Sequence, residues 1–407
     1  MPTQLFSSFK TLFLIVLAAI AAGSSSQALA QSAERKLGDV VISANLKNMP
    51  IAVSATTPEL QTLARTAFSA HGAFRLQPQG FAFEVKFAPA ATNQMQVTIS
   101  KAGAVVLNQV VSGSSSRNAL LRAADAAVRA MAGKPGFFAS RLAFIGERTG
   151  KPEVYVGDLF LGEVRQITND RALALNPEWS PDGGRLLYTS FFRTGFPDIF
   201  SLDLNNLQRS TYVSLKGTNS GARFSPDGRN VAMVLSGEGN PEIYVGNAQG
   251  RQITRKTRTQ AVEASPCFSP DNSQIVFTSD SMGAPQLFVM PAAGGTARRL
   301  VTQLSRYCAE PDWSKADPRK LAFTLRTGSG YQIGVYDFST ATAKIVSKAP
   351  SDAVEPTWLA DGRHLVFTAR SANQRALWIL DTENGKATAL SNSSAGMLSQ
   401  PSVLDPR

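Results

Sequence analysis

The chain has 407 residues, 43% of them hydrophobic, which is enough for two ordinary domains or for one domain and a repeat array, and too apolar for global disorder. Its 31 Gly and 22 Pro mark many turns and favour a β-rich chain over a helical one. The formal charge of +11 suits acidic partners of several kinds, but no basic run carries the interleaved aromatics that would track a phosphate backbone, so no nucleic acid is expected and a solvated basic surface is the simpler reading.

Residues 1–30 read as a cleaved secretory signal. Lys10 precedes a twelve-residue apolar run, Thr11 to Ala22, and a small, polar stretch ends in Ala28-Leu29-Ala30. The run is too short to span roughly 30 Å of hydrocarbon, so export to the periplasm of a cell with two membranes is expected, with Gln31 as the new N-terminus.

Residues 31–137 carry the pattern of a small α/β domain with helices on one face of a sheet. Asp39 to Ile42 is short and apolar, and Pro50 to Val53 looks like a buried strand. Thr57-Pro58-Glu59 opens a helix with an N-cap, a first-turn proline and a first-turn acid, and Leu60, Leu63, Ala64 and Ala67 form its apolar face. Gly72 ends it. His71 beside it can meet the last carbonyls of the helix. Strands follow at Phe74 to Leu76, Phe81 to Phe87, Met95 to Ser100 and Val105 to Val111, and Asn118 to Met131 is a second amphipathic helix.

From residue 138 a repeat takes over. Pro177-Glu178-Trp179-Ser180-Pro181-Asp182-Gly183 returns around Phe224, Phe268, Trp313 and Trp358, in steps of 44 or 45 residues, and a further step reaches Val403. Each copy adds short apolar runs such as Leu186-Leu187-Tyr188 and Ile199-Phe200, which gives four strands in about 45 residues, the length of a propeller blade. Ser-Pro-Asp-Gly is turn chemistry, so its Asp residues are read as turn formers. The first unit, from Arg141, has only three strands, and Pro401-Ser402-Val403 supplies the fourth. The expected fold is therefore two-domain: a small α/β N-terminal domain (31–137) followed by an all-β, six-bladed propeller (138–407) closed by the C-terminal strand.

Cys267 and Cys308 lie on neighbouring units and, in an oxidising compartment, invite a disulfide that geometry must decide. His364 holds a register occupied by Arg185, Asn230, Gln274 and Lys320 elsewhere, so it reads as an exposed strand position. No nucleophile elbow and no Walker loop is present, so neither catalysis nor a cofactor is expected. One polar residue per unit precedes the proline register: Asn176, Gly221, Ser265, Glu310, Glu355 and Gln400. Their spacing places them around one mouth of the central channel, where they could read a partner's loop. They could equally be solvated loop ends, or oxygen ligands for a cation. Charge reversal at Glu310 and Glu355 is expected to weaken partner binding and leave the fold unaltered.

Ser69-Ala70-His71-Gly72-Ala73-Phe74-Arg75, the stretch from Leu121 to Phe137, and Arg141-Leu142-Ala143-Phe144 together resemble the TolB family, the periplasmic propeller proteins of the Tol–Pal system. The likeness covers nearly all of the chain after the signal. It implies an interaction scaffold, peripheral to membranes through its partners, that supports outer-membrane integrity and division and is exploited by colicins. It implies a TolA-like inner-membrane partner at Asp39, Val40, Val41 and Ile42. It also implies a Pal-like outer-membrane lipoprotein on the propeller, at Asn176, Ser265, Glu310, Glu355 and Gln400 with the family-like segment Thr278, Ser279 and Asp280. The alternative is a six-bladed enzyme or metal-binding protein acting at the channel mouth.

Overall fold

The computed structural model describes residues 48–328, 330–391 and 395–406; the signal segment and Asp39, Val40, Val41 and Ile42 lie outside the described residues. The N-terminal unit is a five-stranded sheet in the order β2-β1-β3-β4-β5, built from β1 (Met49–Ala55), β2 (Phe74–Leu76), β3 (Phe83–Ala91), β4 (Gln94–Lys101) and β5 (Ala104–Ser112). Helix α1 (Pro58–Ala70) starts as its sequence dictates, with Thr57 Oγ1 accepting the Leu60 N–H at 3.3 Å. It buries Leu63, Ala64, Ala67 and Phe68. Helix α2 (Ser116–Ala132) begins two residues before Asn118, because Ser115 caps it by accepting the Asn118 N–H. In β4 the buried residues alternate, Met95, Val97 and Ile99 facing the helices. Asp125 then ties α2 to the propeller linker: its carboxylate accepts the N–H of Phe138 (2.6 Å) and of Ala139 (3.0 Å).

Six four-stranded antiparallel sheets follow, so the six-bladed ring expected from the repeat is present. Blade 1 consists of β6 (Arg141–Gly146), β7 (Glu153–Asp158), β8 (Arg165–Gln166) and, from the other end of the chain, β29 (Leu398–Leu404). The closing strand pairs Val403 with Leu142 and Ser399 with Ile145. Blades 2 to 6 run in sequence from Ala174 to Ala389, with innermost strands β9 (Ala174–Trp179), β13 (Asn219–Phe224), β17 (Glu263–Phe268), β21 (Cys308–Trp313) and β25 (Asp352–Trp358). The Ser-Pro-Asp-Gly turns behave as read: Ser225 Oγ donates to Asp227 Oδ1 and accepts the Asn230 N–H, and Gly228 takes φ 73°.

Cys267 and Cys308 are free, buried thiols, so no disulfide joins the units. The repeat puts Asp312, not Cys308, opposite Cys267 on the next strand, and Cys308 lies four residues earlier, about 13 Å along the chain. A disulfide needs Cα atoms within about 7 Å. Cys267 Sγ instead accepts the Trp313 N–H (3.3 Å), and Cys308 sits against Thr302 Oγ1.

The N-terminal unit sits on the turn-bearing face of the ring, over blades 6 and 1. Its apolar core is continuous with Leu359, Val366, Leu377 and Leu398 of blades 6 and 1. Polar bonds flank that core: Arg117 to Asp158 (3.0 Å), Ser115 to Glu163 (2.7 Å) and Lys386 to the Ser69 carbonyl (2.5 Å). Each innermost strand runs from the opposite face towards its turn, so the predicted polar ring opens away from the N-terminal unit.

Candidate functional site

The six predicted ring positions come together. Asn176, Gly221, Ser265, Glu310, Glu355 and Gln400 all line one cavity of ≈ 760 Å³. Each takes a left-handed φ, between 49° and 61°, where its innermost strand slips register against its neighbour. Five of the six are not glycine, so the conformation costs energy at each, and hydrogen bonds between blades explain why it persists. Glu310 Oε2 accepts from Thr324 Oγ1 (2.7 Å) and from the N–H of Glu355 on the next blade (3.0 Å). Glu355 Oε2 accepts from Thr368 Oγ1 (2.7 Å) and the Gln400 N–H (2.8 Å). Gln400 Oε1 accepts the Asn176 N–H at 2.7 Å. The bulge thus turns one backbone donor sideways into an acceptor on the preceding blade.

This arrangement corrects the expectation that Glu310 and Glu355 can be reversed in charge without touching the fold. Burial, and then the neighbouring Glu355, pushes the Glu310 carboxyl above its ordinary range. Replacing Glu355 with Ala leaves the Thr368 hydroxyl without its acceptor and the Gln400 N–H with only the longer bond to Thr368 Oγ1 (3.1 Å). It should lower stability by roughly 1–3 kcal/mol, read as a shift of the urea midpoint at constant slope. Thr278, Ser279 and Asp280 do not themselves line the cavity; Thr278 stands just behind the wall, paired with Ala264 beside Ser265, as Thr324 and Thr368 stand behind Glu310 and Glu355. Thr278 and Ser279 are buried, and Asp280 accepts the Val262 N–H.

Arg223 forms the floor of the cavity. Its Nη1 lies 3.1 Å from Asp312 Oδ1 and 2.9 Å from the Pro311 carbonyl, and its Nε lies 4.0 Å from Glu178. Burial opposes its charge, but Asp312, Cys267 and Glu178 together raise its pKa above the ordinary arginine value. Beyond this crossing the channel narrows to a cavity of ≈ 50 Å³, walled by Trp179, Trp313 and Trp358. The upper cavity also presents Arg255, Arg258 and Arg370. The single-residue step that found the upper ring would have found this lower one too, since Glu178, Arg223, Cys267, Asp312, Thr357 and Ser402 share a register two residues further on.

On the opposite face lies a cluster that sequence reading missed. His364 is fully buried, not exposed, because the N-terminal unit sits on it. The Gly72 N–H donates to His364 Nε2 (3.1 Å), so the ring proton is on Nδ1, which donates to Asp361 Oδ2 at 2.6 Å. His71 Nδ1 accepts the Ala73 N–H (3.3 Å) instead of meeting the helix carbonyls. Its Nε2 therefore carries the proton and faces Asp361 Oδ2 at 4.0 Å. His71, Asp361 and His364 have the residue types and spacing of a metal site, but both ring nitrogens aimed at the carboxylate hold protons, and a metal needs their lone pairs. The cluster is a hydrogen-bonded hub between the two domains. Burial works to raise the Asp361 carboxyl, and His364 more than offsets it, holding the group well below its usual range.

The profile described as the TolB beta propeller domain matches residues 128–403. The Tol-Pal system protein TolB of Desulfosudis oleivorans is 36% identical over 129 residues, covering 32% of this chain and 29% of that protein. The protein of the same name from Anaeromyxobacter dehalogenans is 31% identical over 169 residues, 41% of this chain and 38% of that one. The aligned stretches thus span about a third of these relatives' length. The crystal structure of TolB from Acinetobacter baumannii superposes with a TM-score of 0.77 at 25% identity, covering 88% of this chain and 97% of that one.

Proposed function

The chain belongs to the TolB β-propeller family, and on that premise we propose that it is a periplasmic interaction scaffold of the Tol–Pal envelope complex. In this reading the propeller cavity receives a Pal-like outer-membrane lipoprotein. The segment Asp39 to Ile42 engages a TolA-like inner-membrane protein, and the bridge so made supports envelope integrity and division; colicins would enter by the same route. The observation that carries the reading is the wide cavity on the face away from the N-terminal unit. Loops of that same face expose Phe196 (68%) and Met282 (61%). Exposed apolar side chains beside a hollow of mixed apolar and charged lining are the composition of a protein-docking surface.

A catalytic or metal-binding role at the mouth has less support, because the Glu310 and Glu355 oxygens are already engaged by the adjacent blade. Pull-down from an envelope extract tests the scaffold. Phe196→Asp and Arg258→Glu leave the blade-to-blade bonds intact and should each reduce lipoprotein capture by about tenfold or more. Failure of the parent protein to retain any envelope lipoprotein would remove the basis for the assignment.

A further inference from the structure

The ring of blade-to-blade bonds is broken at two adjacent junctions, between blades 3 and 4 and between blades 4 and 5. Blades 5, 6 and 1 each offer a long side chain, Glu310, Glu355 and Gln400, to the N–H of the following blade. Blade 2 contributes only Thr189 Oγ1, which accepts the Gly221 N–H at 3.4 Å. Blade 3 has Gly221, with no side chain, and blade 4 has Ser265, two carbons shorter than Glu. Among the described residues no side chain of blades 3 or 4 reaches the N–H of Ser265 or of Glu310.

A second observation falls on the junction of blades 4 and 5. In blades 5 and 6 the threonine beside the ring residue donates to the ring carboxylate: Thr324 to Glu310 and Thr368 to Glu355. The equivalent in blade 4 is Thr278. Its side chain lies in the same register, is only 4% exposed, and its Oγ1 has no hydrogen-bond partner. A buried hydroxyl without a partner is uncommon and costs free energy. Blades 5 and 6 show what is lacking: a planar oxygen at the reach of a Glu or Gln side chain.

We propose that the gap between blades 4 and 5 is a recognition subsite for a side-chain carbonyl oxygen of the partner, a Glu or Gln presented on an inserted loop. This rests on the scaffold reading above and adds the chemistry the partner must bring. The incoming oxygen accepts from Thr278 Oγ1 and the Glu310 N–H, as Glu310 itself accepts from Thr324 and the Glu355 N–H. Gln400 shows that a carboxamide does the same work as a carboxylate. Arg223 and Arg370 favour the charged form, and Glu263 and Glu310 on the same wall favour the neutral one.

The subsite can be tested without any partner protein. Propionate and propionamide, added separately to about 50 mM, are the probes, and amide NMR of the exported chain is the readout. The expected result is a saturable shift of the Glu310 and Thr278 amides with at least one probe; the more effective probe identifies carboxylate or carboxamide. Ser265→Gln should supply the missing oxygen in cis. It should raise the urea midpoint above that of the parent, abolish the probe shifts and reduce lipoprotein capture at least tenfold. Thr278→Val should weaken probe binding and leave the fold intact. The subsite is overturned if neither probe moves these amides, or if Ser265→Gln neither stabilises the ring nor blocks the probes. Because the NMR and stability measurements use no lipoprotein, they fail or succeed independently of the scaffold assignment.

Discussion

Val403→Asp should destabilise the whole molecule by about 4 kcal/mol, and removal of residues 398–407 should abolish a single cooperative unfolding transition. Val403 is buried in the core that joins blade 1 to the N-terminal unit. A carboxylate placed there has no partner, and an unpaired buried charge costs roughly 3–5 kcal/mol. The truncation does more. It removes the strand that pairs with β6, and it removes Ser402, whose Oγ and carbonyl accept the Trp179 N–H (3.4 Å) and Nε1–H (3.2 Å). Blades 1 and 2 then lose their junction, and β6 becomes an open edge of the kind that promotes aggregation. Urea titration followed by tryptophan fluorescence, with light scattering for the truncated form, reads both effects. Parent-like cooperativity in the truncated chain would mean that closure by β29 is not what holds the ring.

The ring was legible because its cause is local and repeated. An aromatic residue followed by an Asp-bearing turn every 44 or 45 residues, Pro-Asp-Gly in its clearest copies, fixes where each innermost strand ends, and a first unit short of one strand implies that the last segment returns to it. The polar mouth followed from the same spacing. What the spacing could not convey is direction. That Glu310, Glu355 and Gln400 turn sideways into the next blade depends on a left-handed φ at a bulge, and the residue before a proline is ordinarily extended. His364 was misplaced for a related reason. Its register tolerates Arg185, Asn230 and Lys320 in other blades, but in blade 6 Gly72 and His71 of the N-terminal unit are seated on it. A repeat reports the environment its copies share, and the places where a second domain or a partner lands are where they differ. The cysteines repeat the lesson: proximity by blade number says nothing about depth along the strand.

The same difference between copies separates the two faces of the ring by chemistry. On the face towards the N-terminal unit, blades 6 and 1 are sealed by apolar packing and a histidine–aspartate hub. The other face is left open, with its inter-blade bonds complete on one side and missing at Gly221 and Ser265. If the proposed scaffold role holds, one domain is held permanently and a partner reversibly, and that asymmetry suits both, since permanent contacts tolerate full desolvation and reversible ones depend on groups that stay ready to bond.

Acid should loosen the junction between the domains, and His71 should account for most of the effect. The ring of His71 is 3% exposed and stacks on Phe137 at 5.1 Å. Burial first, and then His364, lowers its pKa from 6.5 to about 3. Between those values the unfolded chain takes up a proton that the folded chain refuses, so stability falls as pH drops below 6.5, by up to about 1.4 kcal/mol per pH unit. Asp361 and Asp381, both held low in the folded state, add their own loss only below about pH 4. Asp125 works in the other direction. Burial raises it to about 7, so its protonation favours the folded state as pH falls from 7 towards 4. The difference between the parent and His71→Gln isolates the histidine from these other groups. Urea midpoints at pH 7.5, 6.0 and 5.0 should show the parent losing roughly 2 kcal/mol relative to the variant over that range. Parallel pH profiles for the two proteins would mean that His71 titrates alike in the folded and unfolded chain, so that its burial in the hub does not hold the ring neutral.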